Sequence, residues 1–189
     1  MKQFIPLLAL AFLITPSSLL AQAPEGFKSG FIVTADGNRL EGFIKESFKS
    51  KAAIVFQNAA GKKTTYGGNA VNEVGLEGTS YISYANDFFK VLASGHKASL
   101  LQKVSDATGK VIYNGNEAAG ISSGTEGRIN DLFFKTSSQS GLTLVNKDNL
   151  NNVAVTAFGD CPALLGSAQA GQLQFTELEK IITRYNECK

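Results

Sequence analysis

The feature that most constrains this chain is a change of apolar period near residue 148. Upstream of it, short apolar runs alternate with polar residues and are cut every few residues by Gly, Asn and Asp. In "NLNNVAVTAF" the apolar positions become Leu150, Val153, Ala154, Ala157 and Phe158, spaced i, i+3, i+4, i+7, i+8. Period two is the mark of strands, and this second spacing puts one apolar stripe on a helix. Strands followed by a run of helices predict an α+β fold. We expect an antiparallel sheet curled into a barrel-like or sandwich form, closed by three C-terminal α-helices over about 148–188.

The upstream zone supplies the strands. In "GFIVTADGNRLEGFI", Phe31 and Val33 alternate with Ile32 and Thr34, and Asp36-Gly37 is a favoured hairpin turn because Gly accepts positive φ without steric cost. "AAIVFQ", "KKTTYG", "AVNEVGLEG" and "YISYANDFFKVLAS" read as further strands, with a turn at Asn58 to Gly61. "ASLLQKVSD" and "KVIYN" flank Thr108-Gly109 and read as another hairpin. Gly115 to Arg128, rich in Gly and poor in apolar residues, reads as a mobile surface loop. "INDLFFKTSSQSGLTLV" reads as two strands around a turn at Ser137 to Gly141. Thirteen Phe, five Tyr and nineteen Gly suit strands joined by tight turns. No internal repeat of fixed period is present.

The start of the chain sets the expected compartment. Lys2 precedes the apolar run Phe4 to Ile14, and "TPSSLLAQA" then supplies small residues and two cuts, after Ala21 or after Ala23, of which Ala21 is favoured because Pro24 follows the other. This is the pattern of a secretory signal peptide over 1–21, and its apolar run is shorter than the about 20 residues a membrane span requires. No cysteine sits at the cut, which argues against a lipid anchor. Removing 21 of 189 residues leaves a mature chain of 168, one domain's worth, as 22–189. The formal charge of +2 falls to +1 with loss of Lys2, so there is no charge field to recruit nucleic acid or an anionic membrane. The expected location is periplasmic or extracellular, with an association with the outer membrane compatible. A membrane barrel is disfavoured because the chain ends in a charged amphipathic helix and its strands are short for spans of about 9–11 residues.

The tail holds the only two cysteines, Cys161 and Cys188. A helix is expected from Asp160 as N-cap with Pro162 in its first turn, and another from Thr176 as N-cap with Glu179 completing a capping box. Cys161 shares the inward face of Leu164 and Leu165, and Cys188 that of Ile181 and Tyr185. The short link between the helices favours antiparallel neighbours, which brings the two cysteines together. In an oxidising compartment they pair. A reactive thiol is the weaker reading, since the spacing is not C-x-x-C and Asp160 opposes thiolate formation. Two cysteines and one histidine do not supply the four ligands of structural zinc.

Few residues suggest chemistry. His96 is the sole imidazole; Ser94 and Ser99 flank it, without a G-x-S-x-G elbow. A lone His beside Gly95 and Lys97 reads as a turn residue, so no catalytic residue is assigned. Carboxylate pairs, Glu73 with Glu77 or Asp87 with Glu46, leave hydrolysis as the alternative. "GKKTT" and "TGKV" lack the upstream Gly of a phosphate loop, and no calcium loop is present. We expect no metal and no cofactor. Phe88-Phe89 and Phe133-Phe134 must each straddle a strand, so one member of each pair needs cover from the helices, a ligand or a partner. These four are the candidate binding surface, for an envelope protein, a glycan or an apolar ligand.

The order of these pieces resembles a family of uncharacterised secreted proteins of Bacteroidota-type bacteria. The likeness rests on "GFIVTADGNRLEGFI" (Gly30 to Ile44), "FGDCPALL" (Phe158 to Leu165) and "IITRYNEC" (Ile181 to Cys188). It implies an exported β-rich domain with a helical, cysteine-paired C-terminus. It implies no activity and transfers no functional residue. The function expected is therefore that of a secreted or periplasmic, non-catalytic binding or structural module of the cell envelope, with a secreted hydrolase using His96 or a carboxylate pair as the alternative.

Overall fold

A computed structural model of the chain describes residues 23–188. The expected signal segment over 1–21 lies outside the described residues. The first hairpin joins β1 (Lys28–Thr34) to β2 (Arg39–Ser47) at the expected turn. Gly37 takes φ +87, a conformation costly to any residue with a Cβ. The Asp36 carboxylate accepts from the Thr34 hydroxyl and from Asn38 Nδ2, which fixes the turn from inside.

Ten strands form one sheet. After β2 come β3 (Ala53–Gln57), β4 (Lys63–Gly67), β5 (Val71–Leu76), β6 (Thr79–Tyr84), β7 (Asp87–Ser94) and β8 (Ala98–Lys103). Then β9 (Val111–Asn114) and β10 (Glu117–Ile121) pair only with each other, and β11 (Leu132–Thr136) and β12 (Thr143–Val145) complete the main sheet. Its order is β12-β11-β8-β7-β6-β5-β1-β2-β3-β4, and every pairing is antiparallel. The class is α+β as expected, but the sheet is open, with β4 and β12 as edges, and is neither a barrel nor a sandwich. Short turns stack most strands beside their predecessors, but β5 returns to β1 rather than β4 and β11 joins β8, which leaves β4 and β12 at opposite edges.

Two local expectations differ. β8 does not pair with β9 across Thr108-Gly109; β8 lies between β7 and β11, and β9 turns back on β10. The stretch Gly115 to Arg128 is no free loop. Its first half is β10, and its second half is held by a buried ion pair. Lys103 Nζ lies 3.2 Å from Asp87 Oδ2, both side chains having no solvent exposure. The same ammonium donates to the carbonyls of Thr125, Glu126 and Gly127. Asp87 accepts from the Ser105 hydroxyl, from the amides of Ala107 and Thr125, and from the Thr125 hydroxyl. Burying two charges is tolerable only when their remaining hydrogen-bonding capacity is met, and here it is met by loop backbone.

Four α-helices accompany the sheet rather than three. The additional one is α1 (Phe48–Lys51), a single turn that drops Phe48 onto Phe88 and Tyr81, with ring centroids 4.8 and 4.9 Å away. The C-terminal three are α2 (Leu150–Ala157), α3 (Pro162–Gln169) and α4 (Leu178–Glu187). Cys161, not Asp160, is the N-cap residue of α3, with Pro162 at its first position. A 3-10 turn, Phe175–Glu177, leads into α4, so Thr176 caps nothing and the expected capping box is absent. The apolar stripes of all three helices pack with Ala98, Leu100, Phe134 and Val145 on one face of the sheet.

The adjacent phenylalanines straddle their strands as pleating requires. Phe134 lies under the helices against Phe158, at 5.1 Å between centroids. Phe88 lies under Phe48, on that same face. Phe89 and Phe133 point to the opposite face and meet edge-on at 5.3 Å, in a cluster with Leu101, Leu142 and Leu144. All four are at most 1% exposed. The cover they need comes from the chain itself, so Phe88, Phe89, Phe133 and Phe134 are core and offer no binding surface. The sequence could not show that the β11–β12 connection folds back over the helix-free face.

Candidate binding groove on the helix-free sheet face

The helices cover only one face of the sheet. On the other, a groove of about 420 Å³ crosses the strands from β5 to β11. Strand pairing places its parts. Glu73 stands opposite Ile82, and Val91 opposite Leu101, so Ile82, Val91 and Leu101 form an apolar floor continuous with the Phe89–Phe133 cluster. Ser99 stands opposite Lys135 at the far side. The register of β7 shifts between Val91 and Ala93, a bulge of the sort that re-aims side chains beside a site.

The rim is polar. Glu73, half-buried, accepts a hydrogen bond of 3.0 Å from the Ser80 hydroxyl, and among the described residues it has no cationic partner. Lys135 is exposed at the opposite end and likewise has no carboxylate partner among the described residues. Ser94, His96, Ser99 and Ser137 add hydroxyl and imidazole groups between and beyond them.

His96 therefore does border a cavity. It sits on the exposed turn between β7 and β8, and among the described residues no carboxylate hydrogen-bonds its ring. A general base needs an orienting partner and a proton donor within hydrogen-bond reach, and neither is assembled here. The expected carboxylate pairs are not assembled either. Glu77 pairs with Lys28 at 2.7 Å across a surface turn, while Asp87 is consumed by Lys103 and Glu46 lies on the other side of the sheet beside Phe48. Among the described residues no group of three metal-ligating side chains converges.

Cys161 and Cys188 form a disulfide with their Cα atoms 5.8 Å apart. Around it stands a clasp. Tyr185 donates its hydroxyl to Asp160 at 2.6 Å, and Lys97 reaches the same carboxylate at 3.1 Å. Burial, and the hydrogen bond to Asp160, push the Tyr185 phenol up to about 12. The Tyr185 and Lys97 contacts hold the Asp160 carboxyl below its ordinary value. Asn186 accepts from the amides of Lys97 and Ala98 and donates to the carbonyl of Ala98. Asp160, Cys161, Tyr185, Asn186 and Cys188 all belong to two of the three stretches that carry the resemblance noted above. Their work in this fold is to bind the tail to the sheet and to hold the turn that carries His96.

No family model, curated protein or solved structure matches this chain. The groove is read from its own chemistry. Of its residues, Glu73 and His96 stand out in the sequence as chemistry-bearing types. Lys135 and the floor residues do not, because their convergence depends on strand order. No helix among the described residues is long and apolar enough to cross a membrane.

Proposed function

We propose that this protein is an exported, non-catalytic binding module of the cell envelope, and that its ligand occupies the groove on the helix-free sheet face. One observation carries this reading: an apolar floor is left open between two charged side chains that have no oppositely charged partner among the described residues, while the only imidazole beside it lacks an orienting carboxylate. Open apolar surface with a few convergent polar groups is the ordinary form of a ligand site. Export is supported by the signal-like 1–21 and by the disulfide, since such bonds persist in oxidising compartments. The likeness to secreted proteins of Bacteroidota-type bacteria points the same way.

Val91→Arg tests the site. The mature protein, immobilised, retains material from purified peptidoglycan, outer-membrane lipid or envelope-protein fractions, and the folded variant retains none. Equal retention by the variant removes the groove from the account. A secreted hydrolase is the second reading, favoured only by the presence of His96, Ser94 and Ser99 around one cavity. Turnover of any ester, amide or glycoside panel substrate that disappears in folded His96→Ala would replace the binding assignment with that one.

A further inference from the structure

We propose that the groove takes a short zwitterionic peptide, its free amino group on Glu73 and its free carboxylate on Lys135, with apolar side chains over Ile82 and Val91; this rests on the binding assignment above. The charges select the ligand. Glu73 belongs to β5 and Lys135 to β11, at opposite ends of a five-strand span. Neither has an oppositely charged partner among the described residues. Nearby Lys97 does not blur this polarity, because its ammonium is turned to Asp160 at 3.1 Å. One anion at one end, one cation at the other and an apolar floor between them complement a molecule with the reverse order. A neutral oligosaccharide would leave both charges unanswered, and a fatty acid would answer only Lys135.

Length follows from strand spacing. Four inter-strand steps of about 4.8 Å, together with the four-residue offset along β8 between Lys103 in the Glu73 row and Ser99 opposite Lys135, separate the two backbone positions by roughly 23 Å. The reach of the two side chains brings the ligand's ends to roughly 14–16 Å apart, which an extended peptide of about four to five residues spans. Ser80, which donates to Glu73, holds that carboxylate in place at the amine end.

The test uses mature protein and calorimetric titration with alanyl-leucyl-leucyl-alanine in four forms: free, N-acetylated, C-amidated and blocked at both ends. Chitotriose and hexanoate serve as separate arms. The free tetrapeptide binds; acetylation weakens binding about tenfold in the wild type and not in Glu73→Gln; amidation weakens it about tenfold in the wild type and not in Lys135→Ala. Both substitutions are at groove-rim side chains outside the core. Equal affinity for the doubly blocked form, penalties that persist in the variants, or no peptide binding at all would each overturn the proposal. Chitotriose or hexanoate binding that Val91→Arg abolishes, without peptide binding, would overturn the peptide and keep the binding module. Envelope retention indifferent to Val91→Arg would sink both.

Discussion

Lys103 and Asp87 form an ion pair from which solvent is wholly excluded, and the lysine ammonium donates to the carbonyls of Thr125, Glu126 and Gly127. Removing one partner leaves the other charged and buried. Lys103→Ala or Asp87→Ala should therefore cost about 3–5 kcal/mol in urea unfolding. Amide exchange should rise first over 122–127, where the loop loses its anchor.

The disulfide ties residues separated by 27 positions. The chain-entropy account assigns closure of such a loop about 3–4 kcal/mol. Cys161→Ser with Cys188→Ser should lower the unfolding midpoint by a corresponding amount and leave the sheet's circular dichroism intact. Non-reducing mass analysis of the wild type should show the mass two hydrogens below that of the dithiol.

Gly95 lies directly under the Asn186 carboxamide, and a Cβ there would collide with it. Gly95→Ala should cost about 1–3 kcal/mol by overpacking. Asn186→Ala should cost about 1–3 kcal/mol by leaving the amides of Lys97 and Ala98 unpaired. The double variant should be less destabilised than the sum of the two, because the alanine at 186 vacates the space a Cβ at 95 needs. Urea titration of the four proteins measures the coupling.

The Asp160–Tyr185 contact predicts two pH effects of opposite sign. Asp160, held below its ordinary pKa when folded, contributes stability present above the unfolded value and lost as pH falls through the folded one. Tail stability should thus decline on acidification below about pH 4, and Asp160→Asn should remove that decline. Tyr185, raised to about 12, contributes stability present below an unfolded value of about 10 and lost as pH rises toward 12. Absorbance of phenolate against pH should show a tyrosine titrating near 12 that is absent in Tyr185→Phe.

Much of this protein is written locally. The Asp36-Gly37 hairpin, the apolar stripe from Leu150 to Phe158 and the pairing of Cys161 with Cys188 follow from residues close in sequence or from helical faces, and the structure has all three. Ala85-Asn86 shows the limit: both residues take positive φ, 45° and 72°, in the two-residue turn between β6 and β7, and an alanine there gives no advance sign of it. The capping box at Thr176 shows another, since the 3-10 turn Phe175–Glu177 moved the helix start one residue on, to Leu178 with Glu177 as its N-cap.

Strand order was beyond local reading. Period two states that Phe88 and Phe89 face opposite ways; it does not state what lies on either side. That was settled when β8 chose β7 and β11 over β9, when Lys103 reached Asp87, and when the β11–β12 connection closed over Phe133. Those choices turned four suspected surface phenylalanines into core. They also brought Glu73 and Lys135, 62 positions apart in the chain, to the two ends of one groove. Residue type and spacing dictate what each segment prefers to be. Which segments become neighbours depends on the burial and charge pairing that only the assembled sheet makes possible.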